Sequence, residues 1–318
     1  MQTTHTTTTI TRANARRLRR GRTLAALGIF AALLQTSSTA ADIATSHETY
    51  DLRGPFDWTG RTLTKTSSFR INEGQFFGNI QGNKIGLTQN VANNETRRVR
   101  IRHMDGPHVT YAEVTVLESQ ELMTMTTQAG QLAQREETVS PLLDRSIRIR
   151  RTGSGIGYNF ELVGEAPDFE QIAAMEELAF PADPGIPFPE KPVAIGESWS
   201  VTGNKLNAFL DMAEDNLDGE AQLTLLGVEQ VAGETIAIVD IQLRFITSTA
   251  GKRAQDFEGA VEMNASGTIE RNLALSINRL VRLVGTMSVK GQVVEGGEII
   301  GRIASTGPFT IEQTESLN

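Results

Sequence analysis

Apolar residues recur at every second position through most of this chain, the period of strands with one buried face. Leu63, Lys65, Ser67, Phe69 and Ile71 alternate with Thr62, Thr64, Thr66, Ser68 and Arg70. In Arg97–His103 the same period puts Val99 and Ile101 on one side and arginines on the other. Asp105-Gly-Pro107 then reads as a turn into a strand over His108–Leu117, which predicts a hairpin. A second pair is predicted from Ser146–Arg151 and Tyr158–Val163, around the glycine-rich stretch 153–157.

The period changes once with clear intent. Asp168 is placed to cap a helix, Gln171 sits at its third position, and Phe169, Ile172, Met175 and Leu178 are spaced to form an apolar stripe. Pro181 ends it, and Pro184, Pro187, Pro189 and Pro192 follow, so an extended connector is predicted over 181–192. Beyond it, β-type runs fill 220–229, 235–248, 260–271, 280–290 and 299–312, with a weaker helical pattern at Lys205–Glu214. Short turns between successive strands imply antiparallel meanders rather than βαβ units.

The expected fold is therefore mostly β, with long antiparallel meanders in one or two curved, half-barrel-like sheets and one clear helix near 168–179. It divides into an N-terminal β-rich half (42–180), the proline connector (181–192) and a C-terminal antiparallel half (193–318). Each half opens on a turn-like tryptophan, Trp58 and Trp199, a trace that a duplication would leave. Two tryptophans do not establish a repeat.

Residues 1–41 read as a signal peptide. Six arginines and no acid precede the apolar run Leu24–Leu34, with small residues at Ser38-Thr39-Ala40-Ala41 for cleavage. As a helix that run reaches about 17 Å, against roughly 30 Å of hydrocarbon core, so it suits export rather than a permanent span. Arg16-Arg17 and Arg19-Arg20 leave the twin-arginine route open beside the general one. The expected location is periplasmic or extracellular, with no transmembrane span in the mature chain. Losing six arginines takes the net charge from −8 to −14, which argues against nucleic acid as a partner.

There is no cysteine, which removes disulfides, thiol nucleophiles, cysteine zinc sites and thiolate cofactor ligation from consideration. No cofactor is expected. His103, Asp105 and His108 stand within one turn and are the candidate metal ligands, but a fourth ligand is missing, and a polar hairpin turn explains them as well. Glu214–Glu220 superficially resembles a calcium loop: aligned on Gly219, Asn216 and Asp218 fit, but Glu214 occupies the first position and Leu225 the twelfth, where a bidentate acid is required. Gly153, Gly155 and Gly157 lack the spacing of a phosphate cradle and suit a hairpin tip. No nucleophile elbow occurs, and Glu136/Glu137 and Glu176/Glu177 are sequence neighbours that point to different faces.

The segment Phe188-Pro-Glu-Lys-Pro-Val-Ala-Ile-Gly-Glu-Ser-Trp199 resembles a motif of uncharacterised bacterial exported β-rich proteins, in which Pro-Val-x-x-Gly-Glu-x-Trp leads into long strands. Gly267–Leu280 is similar to their strand–turn–strand unit, without its usual turn glycine. More distantly, the pattern resembles half-barrel envelope proteins related to periplasmic lipoprotein carriers. That resemblance implies an acyl-binding concave face and transfers no catalytic residue. The leading expectation is thus a non-catalytic exported envelope protein binding lipid or another apolar ligand on a curved sheet. A structural module pairing with an envelope protein, and a hydrolase whose carboxylates meet only in the fold, are the alternatives.

Overall fold

A computed structural model describes residues 48–54, 57–152, 158–176, 178, 185–209, 217–248, 257–295 and 298–318. Residues 1–41, read from the sequence as a signal peptide, the glycine stretch 153–157, the prolines at 181 and 184, and Glu214–Asn216 of the calcium-like loop lie outside these residues.

The strands are β1 (Thr49–Tyr50), β2 (Thr62–Ile80), β3 (Asn83–Asp105), β4 (His108–Thr127), β5 (Leu132–Val139), β6 (Ser146–Arg151), β7 (Tyr158–Leu162), β8 (Val193–Ala194), β9 (Ser198–Thr202), β10 (Leu217–Val231), β11 (Glu234–Ser248), β12 (Phe257–Asn272), β13 (Ile277–Glu295) and β14 (Glu298–Leu317). Two helices join them, α1 (Phe169–Glu176) and α2 (Gly203–Phe209). Twelve strands form one antiparallel sheet in the order β7-β6-β4-β3-β2-β14-β13-β12-β11-β10-β9, with β5 added beside β4. It does not close into a barrel. The parts of the chain before and after the proline connector share this sheet, because β2 pairs with β14.

The strands are longer than the alternation alone suggests. β3 has 23 residues, about 75 Å at the usual rise, where about five or six residues is common. Such lengths require curvature, and small residues supply it. A Cβ at Gly267 would overlap the carbonyl oxygen of Arg282 on the next strand. Gly267 lies opposite Ile241 and Leu283 in register, so the close approach is on the apolar side and the sheet coils toward it.

That inner face carries three bands. The first is an apolar row across eight strands, Ala221–Leu243–Ala265–Gly285–Phe309–Ile71–Val91–Met123. Its side chains belong to the larger buried cluster. The third is a shorter apolar row, Leu63–Val99–Val114–Ile147–Leu162, within a second cluster. Between them lies a polar band with the cross-strand rows Gln313–Ser67–Glu95 and Glu315–Lys65–Arg97. These side chains are half-buried. A bulge in β4 at Leu117 lets both apolar bands share one face: Val114 and Val116 point inward before it, Met123 and Met125 after it.

The outer face is charged. Arg102–Glu113, Arg148–Glu161, Arg244–Glu262 and Arg282–Glu312 form ion pairs there. Such a face suits water rather than hydrocarbon. Among the described residues, no helix is long and apolar enough to cross a membrane.

α1 begins as its sequence predicts. Asp168 Oδ1 accepts from the backbone N–H of Glu170 and Gln171 at 2.9 and 2.8 Å, and Gln171 Oε1 accepts from Asp168 N–H at 3.0 Å. This is a reciprocal cap. Its buried side differs from the expected stripe, however: Phe169 and Ile172 are exposed, while Gln171, Met175 and Leu178 pack inward. The i, i+4, i+7 face that meets the second cluster begins at Gln171, so two of the four expected stripe residues point outward. In the second helical region, α2 covers Gly203–Phe209 with Leu206 fully buried, and residues 210–216 lie outside the described chain.

Candidate ligand cleft beneath the proline connector

The connector is pinned at its end by the motif that follows it. β8 pairs with β1, setting Thr49 opposite Ala194 and Tyr50 opposite Val193. Glu197 turns back so that its carboxylate accepts from Ala194 N–H at 2.9 Å. Gly196 N–H donates to Leu225 O at 2.7 Å, and Leu225 N–H to Glu197 O at 3.0 Å, clamping the turn against β10. Trp199 then donates its indole N–H to Pro187 O at 3.0 Å. The Gly-Glu-x-Trp signature is thus a fastening for the connector.

Beneath it stands Phe188. Trp199 packs against the Phe188 ring at 6.5 Å between centroids, tilted by 51°. On the Phe188 ring lies the guanidinium of Arg271, 4.4 Å from its centroid. Arg271 is fully buried, which a strand arginine tolerates only when its N–H groups are satisfied. Nε donates to Leu52 O at 2.9 Å, one terminal nitrogen to Asn278 Oδ1 at 3.0 Å and the other to Arg53 O at 3.2 Å. Asn278 in turn donates its backbone N–H to Glu315 at 2.9 Å. The turn after Asn272 serves this arrangement. Ser276 takes φ of 56° and is completely buried.

Arg53 is displayed outward from the same segment. Its guanidinium lies against the backbone of Gly185, where any Cβ would collide with it. It pairs with Glu190 at 3.6 Å, an acid that is largely exposed, so the pair is a weak one. Together these parts enclose a cleft of about 750 Å³. Its floor and back are Ile186, Pro187, Phe188, Val193, Trp199 and Val201; its rim is Arg53, His108, Glu190, Lys191, Glu197 and Lys205. Lys191 and Lys205 are exposed and form no ion pair or hydrogen bond with any described residue.

The three residues considered as metal ligands are distributed differently. His103 is exposed at the end of β3, with Nδ1 2.7 Å from Thr110 Oγ1. Asp105 faces His108 across the hairpin register, and His108 contributes to the cleft rim. Among the described residues no three His, Asp or Glu side chains are grouped to hold a metal. Leu225, at the calcium loop's twelfth position, lies in the larger core. Trp58 is buried and donates its indole N–H to Leu275 O at 2.9 Å, a packing anchor for the β12–β13 turn.

Arg271, Phe188 and Arg53 were not singled out by sequence reasoning. A signal existed for the first: Ile269 and Arg271 share the inward period of β12, and an arginine there needs a reason. For Arg53 and Phe188 nothing local distinguishes them, because their partners are distant in the chain.

No family model matches the chain, and no curated protein matches it. Among solved structures, it is similar to a DUF1329 family protein from Desulfovibrio piger, with 11% identity over 82% of this chain and 86% of that one and a TM-score of 0.15. A receptor binding domain (10% identity, 78% and 77% covered, TM-score 0.11) and the botulinum neurotoxin serotype C1 binding domain (8% identity, 78% of each, TM-score 0.10) follow.

Proposed function

We propose that the mature protein is an exported, non-catalytic envelope protein that binds an apolar ligand in the cleft beneath the connector. The observation that carries this reading is the cleft itself. An open cleft of about 750 Å³ lined by Phe188, Trp199 and prolines, with charged side chains around them, has the size of a small-molecule site. The sequence-based expectation placed such a ligand on the concave sheet. The apolar bands of that face are instead filled by their own side chains, which favours the cleft as the place of binding.

The hydrolase alternative draws support from the polar band, where Glu95 and Glu315 share one face. Both carboxylates are already engaged. Glu95 is paired with Arg97 in close contact, and Glu315 accepts from Asn278 N–H and from Gln313 Nε2. The band is better read as a polar seam between two cores.

Native mass spectrometry of the exported protein, recovered from its host without detergent, tests the proposal. An added mass that leaves on denaturation and extracts into organic solvent is expected. Trp199→Ala, which unfastens the connector from Pro187, should reduce its occupancy. A clean apo mass, with no uptake of the neutral probe N-phenyl-1-naphthylamine, would overturn the reading.

A further inference from the structure

Resting on the cleft as a ligand site, we infer that its ligand carries an anionic group, a carboxylate or a phosphate ester, held at the rim by Lys191 and Lys205. The carriers of this inference are positions of charge. The chain as a whole is acidic, with 38 acids against 30 bases. At the cleft the balance reverses. Arg53, Lys191 and Lys205 face two acids, Glu190 and Glu197.

Neither acid neutralises the lysines. Glu197 is committed to the Ala194 N–H inside its own turn, and Glu190 lies with Arg53. Lys191 and Lys205 form no ion pair or hydrogen bond with any described residue, and both line the cleft. Arg271, buried behind the Phe188 ring, adds a fixed positive charge on the far side of the floor. An apolar tail seated on Phe188 and Trp199 would leave its head among these cations. A charge-assisted contact at a partly desolvated rim is stronger than a neutral hydrogen bond. A neutral head of the same size gains none of that, and a cationic head is repelled.

Displacement of N-phenyl-1-naphthylamine from the exported, delipidated protein provides the test, with dodecanoate, dodecyl phosphate, dodecanol and dodecylamine as competitors. Either anion should displace the probe at about tenfold lower concentration than dodecanol, with dodecylamine weakest. The stronger of the two anions identifies the head group. In Lys191→Gln/Lys205→Gln the ratio of anion to alcohol should fall close to one, with an unchanged circular dichroism spectrum. Lys84→Gln/Lys290→Gln, in strands away from the cleft, should keep the ratio. If anion and alcohol compete equally in the wild-type protein, the charge inference is overturned while the ligand reading stands. If the probe and all four competitors fail to bind, both fall. An anion preference that survives in Lys191→Gln/Lys205→Gln, or disappears equally in the distant pair, would also overturn the inference.

Discussion

The two apolar clusters of the inner face share strands β2, β3 and β4 yet are closed in different ways. The larger runs from β10 across to β4 and is capped by Leu206 of α2, Phe188 of the connector and Val193 of β8. The smaller lies at the other end of β2, β3 and β4 and is closed by Met175 and Leu178 at the α1 end and by Trp58. One lid is a helix with a satisfied cap. The other combines the short helix α2 with an extended, proline-rich segment, and it is under this segment that a cleft remains. A helix presents a continuous side-chain surface to the core and leaves little space. A proline-rich strap has few N–H groups to pair and cannot join a sheet ladder, so it bridges the core and leaves room beneath. The proposed ligand site lies at the end closed by the connector.

The sharpest way to break this contrast is to open each core from inside. Leu243→Ala and Ile149→Ala should each cost about 3 kcal/mol, the usual range being roughly 2–5 for a buried aliphatic truncation. Because β2, β3 and β4 run through both clusters, urea melts of the two variants should move one shared transition. Two transitions, each shifted by only one variant, would show that the polar band divides the sheet into independent units. Arg271→Leu should come next, at about 2 kcal/mol, since it leaves Leu52 O, Arg53 O and Asn278 without their donor. Its distinctive result is loss of probe binding in the cleft, read by fluorescence, alongside the shifted melt. Unaltered binding would separate the arginine from the floor it supports.

Smaller effects sharpen the other lid. Asp168→Ala removes the reciprocal cap of α1 and should cost about 1 kcal/mol, with cleft binding unaffected. The least effect is expected on the outer face. A hydrogen bond from Arg102, opposed in part by desolvation, holds the Glu113 carboxyl below its usual range. With the folded value depressed, the contribution is present at neutral pH and is lost as pH falls from the unfolded value through the folded one. The pair is partly exposed, so less than about 1 kcal/mol is at stake, and Arg102→Gln should flatten the acid side of the stability curve by that amount.

Much of this architecture is legible in the order of residues, and the exceptions follow a pattern. Alternation at 62–71 and 97–103 identifies inward residues correctly: Leu63, Ile71, Val99 and Ile101 are all buried. It even contains the polar band, since Lys65 and Ser67 share the inward period with Leu63 and Phe69. What alternation cannot carry is a change of phase. The extra residue at Leu117 reverses which positions of β4 face inward, and only the pairing with β3 reveals it. The cap of α1 is readable because Asp168 and Gln171 are neighbours. The buried side of that helix is not, because the second cluster chooses Gln171 and Met175 over Phe169 and Ile172.

The sequence alone therefore determined the local terms: strand period, the two-residue and glycine turns, the helix cap, the proline connector, the missing cysteines and the acidic balance. Each depends on residues within a few positions of one another, where backbone geometry and side-chain chemistry act directly. The tertiary structure alone decided the three-band inner face and the cleft. Arg271 meets the carbonyls of Leu52 and Arg53 across more than 200 residues of chain, and Lys191 and Lys205 become neighbours of Phe188, Trp199 and His108 only when the connector is fastened. Such encounters are set by sheet order and curvature, which are properties of all the strands together and are written in no single segment.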